Sequence, residues 1–63
     1  MIVLTRVFNE TTEKILVNPN QICMIQDSGS QFSASLIRFI DRSVEVKEDM
    51  GEIRRLIALS KIL

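Results

Sequence analysis

The sequence predicts an α+β fold: a small antiparallel sheet or partial barrel of four to five strands, followed by one C-terminal α-helix. Three observations lead there. Val44 and Val46 alternate with Glu45 and Lys47, which is the period of a strand. After Asp49 the apolar spacing changes to Ile53, Leu56 and Ile57, the period of a helix with one greasy side. The rest of the chain consists of short aliphatic runs divided by polar turn clusters.

Residues 2–7 are rich in β-branched and aliphatic side chains and form the first expected strand. Ile2 and Leu4 would share one face, with Val3, Thr5 and Val7 on the other. Phe8 to Thr12 is polar enough for a turn, and Asn9 is its best candidate for a left-handed backbone. Residues 13–17 return as a second strand. Asn18-Pro19-Asn20 is the strongest turn signal, because proline fixes φ and removes a donor.

Residues 21–26 form a short, continuous apolar run, read as a third strand covered on both faces. The serine-rich stretch that follows, interrupted by Phe32, is the most loop-like segment. Residues 35–40 make a fourth strand and residues 43–47 a fifth. The Asp41-Arg42 connection lacks the glycine or asparagine of a tight hairpin, so a wider or bulged turn is expected. The strands are expected to run as an extended meander, closed on one side by the helix.

That helix is expected over residues 49–61. Asp49 and Glu52 have the spacing of a capping box, and Glu48, Asp49 and Glu52 lie at its positive end. Arg54, Arg55 and Lys61 follow toward the negative end, and Met50 reads as a filler of core gaps.

At 63 residues the chain is a single domain, 1–63. A chain so short buries only about 60% of the surface its unfolded form exposes, so small domains add disulfides, metals or partner subunits. Cys23 is the only cysteine and there is no histidine, which leaves self-association as the expected supplement. Eight basic and eight acidic side chains cancel, which disfavours nucleic acid as a partner. No apolar stretch is long enough to span a membrane, so no membrane partner is expected. Arg6 interrupts the apolar N-terminus and makes it a poor signal peptide. The Asn9-Glu10-Thr11 glycosylation triplet is therefore read as accidental, and the expected location is cytoplasmic.

No catalytic, cofactor-binding or metal-binding constellation is expected. Cys23, inside an apolar run and without a histidine to activate it, reads as a small buried hydrophobe. Capping accounts for Glu48, Asp49 and Glu52 without a magnesium ion. Five residues are candidate interface or ligand contacts: Phe8, Phe32, Arg38, Arg54 and Arg55. Phenylalanines at a strand end and in a polar loop are the type that anchors partners. Arg54 and Arg55 point about 100° apart, so they form a solvated face or, with Arg6 or Arg38, an anion-reading patch.

Three segments carry a family resemblance: Met1-Ile2-Val3-Leu4-Thr5-Arg6, Leu16-Val17-Asn18-Pro19-Asn20-Gln21-Ile22, and Val44-Glu45-Val46-Lys47-Glu48 followed by Glu52-Ile53. In this order they resemble the small flagellar FlbD-like proteins and related short phage-encoded proteins. Those proteins typically have a glycine in the first hairpin and an acidic Pro-Asp-Thr stretch after the third strand. Here those places hold Phe8-Asn9-Glu10-Thr11-Thr12 and the serine-rich loop. The resemblance implies a β-then-α fold and a small regulatory or accessory role, with no catalytic residue to carry over.

Two functional expectations follow. The first is a non-enzymatic binding or regulatory module that self-associates and contacts a protein partner. The second is a phage or mobile-element accessory protein that captures a nucleotide or other small anionic ligand at a subunit interface, using the arginines and the serine-rich loop.

Overall fold

The computed structural model describes residues 1–62, with the backbone alone for Ile62. Five strands are followed by one helix: β1 (Ile2–Phe8), β2 (Thr11–Val17), β3 (Met24–Asp27), β4 (Ser35–Arg38), β5 (Ser43–Val46) and α1 (Met50–Ile62). A single 3-10 turn, Pro19–Gln21, precedes β3. The sheet is antiparallel throughout and open, in the order β2-β1-β5-β4-β3.

That order corrects the expected meander. A β1–β2 hairpin and a β3–β4–β5 meander are joined through β1 and β5, so β2 and β3 lie at opposite edges. The joint is narrow. Its single paired position is Arg6 with Val46, extended by the Lys47 N–H donating to the Thr5 carbonyl at 2.9 Å.

The turns follow from their residues. Asn9 takes φ 56° in the two-residue loop between Phe8 and Thr11, a conformation asparagine tolerates and branched side chains resist. Asn18 Oδ1 accepts the Asn20 N–H at 3.0 Å and starts the 3-10 turn, with Pro19 at its first position. Residues 39–42 make the wider β4–β5 connection, closed by the Phe39 N–H donating to the Arg42 carbonyl at 2.7 Å.

The third strand begins later than the sequence pattern suggests and is an edge strand, with neither face fully covered. Proline and the Asn18 cap wind residues 19–21 into a turn before an extended chain can start. Cys23 is correspondingly exposed, not buried. Its backbone is fixed by its N–H donating to the Arg38 carbonyl at 2.8 Å, while its side chain falls outside the core.

Helix α1 is capped by Asp49, whose Oδ1 accepts the Glu52 N–H at 2.8 Å. Glu52 turns away and pairs with Arg55, so the capping box is only half made. Ile53 is the fully buried residue of this helix, packed against Ile2, Leu4, Val17, Ile37 and Val46. Leu56 and Ile57 pack beside it. Met50 does not fill the core; it lies on the outer side of the first turn and is 39% exposed.

Strand register places Ile2, Leu4 and Arg6 on one face of β1, with Ile15 and Val17 of β2, Val44 and Val46 of β5, and Ile37 of β4. Helix α1 closes over part of this face. Thr5, on the opposite face, is also buried because the Glu48 carboxylate and the Lys14 ammonium both reach its hydroxyl, each at 2.9 Å.

Candidate functional site

A 13-residue helix is too small to cover a five-stranded sheet, and the part of the core face it leaves open is the main surface feature. There the end of β2 and the β4–β5 turn enclose a groove of about 710 Å³. Its floor is apolar: Ile15, Phe39 and Val44 are half-buried and pack against the core from the groove side. The apolar side chains on its lip are exposed. Met1 is 74%, Leu16 69% and Ile40 91% accessible.

Three charges line the same groove. Arg6 is committed to Glu13 at 2.8 Å. Asp41 and Arg42 have no ion-pair partner among the described residues, and the Arg42 guanidinium stands 5.8 Å from the centre of the Phe39 ring. The groove therefore combines an apolar floor with a mixed rim, where Met1, Leu16 and Ile40 stand among Asn18, Gln21 and Ser43, and with one adjacent acid and base that have no ion-pair partner among the described residues.

The five residues singled out from the sequence do not converge there. Phe8 is exposed at the end of β1 and lines a second, smaller hollow of about 340 Å³. The Arg6 guanidinium lies 5.9 Å from its ring. Phe32 is exposed in the serine-rich loop. Arg38, at the end of β4, donates through Nε to Gln26 at 3.1 Å. Arg54 is exposed on α1. Arg55 makes a two-pronged contact with Glu52 at 2.6 and 3.0 Å, which lowers the Glu52 pKa and raises that of Arg55 through the hydrogen bonds and their opposite charges. No hydrogen bond, ion pair or ring contact joins any two of the five.

The serine-rich loop is largely occupied with itself. Ser28 Oγ accepts the Ser30 N–H at 3.1 Å, Ser30 Oγ accepts the Phe32 N–H at 3.1 Å, and Ser33 Oγ donates to Glu45 at 2.9 Å. Those amides already have acceptors and do not point as a set toward a phosphate. Among the described residues, no group of three or more acidic, cysteine or histidine side chains could hold a metal ion. Among them, too, no helix is long and apolar enough to cross a membrane.

Sequence reasoning named none of the groove's lip residues. A signal was present at Phe39-Ile40, where two consecutive apolar residues enter a turn. Strand alternation can bury only one of them, and it buries neither fully. No family model matches the chain, and no curated protein or solved structure matches it.

Proposed function

We propose that this chain is a small non-enzymatic binding module that self-associates and contacts a protein partner, in a regulatory or accessory role. The observation behind this reading is the surface the fold leaves exposed. Its accessible area is 4649 Å², against about 4100 Å² expected for a folded monomer of this mass. Among the described residues, nine large hydrophobic side chains are exposed beside a core of seven buried ones. Three of them, Met1, Leu16 and Ile40, border one groove, the kind of apolar surface that another protein covers. Zero net charge removes the long-range repulsion that would otherwise keep copies apart. The likeness of three segments to FlbD-like proteins points the same way.

Two measurements test this. If association contributes to stability, the thermal midpoint rises with protein concentration across the micromolar range. A midpoint independent of concentration, with a 7.2 kDa species throughout in sedimentation, removes self-association. For the partner, affinity capture with the tagged chain is compared with Phe8→Asp and Phe32→Asp forms. A protein captured by the parent and lost from either variant supports the reading, and identical capture by all three rejects these phenylalanines as anchors.

A further inference from the structure

We propose that the open groove beside β2 and the β4–β5 turn is the seat of a second copy of this chain, and that the two copies meet there about a two-fold axis. This rests on the self-association proposed above and identifies the surface that carries it.

A two-fold interface brings one patch against itself, so the patch must be complementary to itself. This groove supplies both halves of such a contact. Ile40 projects from the β4–β5 turn with 91% of its surface accessible, next to a groove whose floor is Ile15, Phe39 and Val44. In a two-fold arrangement, Ile40 of each copy enters the groove of the other. The charges fit the same symmetry: Asp41 and Arg42 are adjacent and unpaired among the described residues, so each can meet its opposite across the axis.

The exposed apolar side chains along the groove are Met1, Leu16 and Ile40, and a second copy seated there would cover them. Covering them would also complete the core, since Ile15, Phe39 and Val44 already pack on it from inside. Met24, Phe32 and Leu59 are also exposed, but none of them lines this groove.

Sedimentation velocity at a series of micromolar concentrations, with reductant present to keep Cys23 from crosslinking, decides the matter. The parent chain sediments as a dimer. Ile40→Asp and Leu16→Asp each weaken the dimer by at least about tenfold, as expected for charges placed within an apolar contact, while Leu59→Asp does not. Circular dichroism separates this from misfolding, because all three side chains are exposed in the protomer. A second arm is independent of apolar packing. Asp41→Arg and Arg42→Asp each weaken the dimer, and the double exchange restores it.

A monomeric parent chain overturns both this inference and the self-association beneath it. A dimer that survives Ile40→Asp and Leu16→Asp but yields to Leu59→Asp overturns the groove alone and leaves self-association standing. Single charge variants that weaken the dimer with no recovery in the double exchange overturn the two-fold pairing of Asp41 with Arg42.

Discussion

The carboxylate of Glu48 takes the place of a missing strand at Thr5. Its two oxygens accept the Thr5 backbone N–H at 2.9 and 3.1 Å, and one also accepts the Thr5 hydroxyl at 2.9 Å. The Lys47 N–H donates to the Thr5 carbonyl just past the end of β5. From there the side chain of Glu48, instead of its backbone, supplies the next acceptor. The carbonyl of Glu48 in turn receives the hydroxyl of Ser35, a fully buried serine of β4, at 2.8 Å. One residue therefore ties β1 to β4 across the end of the strand between them, where the two halves of the sheet are held by a single paired position.

Removing that acceptor leaves a shielded backbone N–H without a partner. Glu48→Ala should lower unfolding stability by about 1–3 kcal/mol, the cost of an unmade hydrogen bond to a desolvated group. Glu48→Gln keeps an amide oxygen in reach of the same N–H and should lose less. Urea titrations of the two variants check the order, and equal losses would mean that the carboxylate is not acting as the acceptor.

Ile53 is the point at which α1 is fastened to the sheet. It is fully buried, against five side chains from four strands. Ile53→Ala should cost about 2–5 kcal/mol and Ile53→Val about 0.5–1.5, following the volume removed. Chemical denaturation monitored by helical ellipticity measures both.

Asn9 is the only non-glycine residue with positive φ among those described, and its loop sets the β1–β2 register. Asn9→Gly should leave stability nearly unchanged. Asn9→Val should cost about 1–2 kcal/mol, because a branched side chain crowds the following carbonyl in that conformation. Matched thermal melts distinguish the two.

Cys23 is exposed in the folded chain. A chromogenic disulfide reagent should therefore label one thiol per chain in native buffer, at a rate close to that in denaturant. Protection in native buffer that disappears on dilution would show that association covers β3 as well.

The fold class was legible from the order of periodicities. Alternation in 43–47 and the helical spacing after Asp49 need only local geometry, and both elements formed where those patterns lie. Asn9, Asn18-Pro19 and Asp49 were equally readable, because a turn or a cap is made by a residue and its near neighbours. Local chemistry also led astray. The apolar run that holds Cys23 looks covered, yet it feeds an edge strand, and no pattern within six residues states which strands lie at an edge.

The sequence by itself determined that a sheet of short strands would end in one amphipathic helix, that neither a disulfide within the chain nor a histidine would support it, and that its charge would cancel. Only the tertiary structure decided that β5 lies beside β1, that Glu48 reaches back to Thr5 instead of serving the helix, and that the end of β2 and the β4–β5 turn bring Leu16 and Ile40 to one groove. The reason is sequence distance. Glu48 lies 43 residues from Thr5, and contacts closed over such spans depend on how the whole chain packs, not on any periodicity within it.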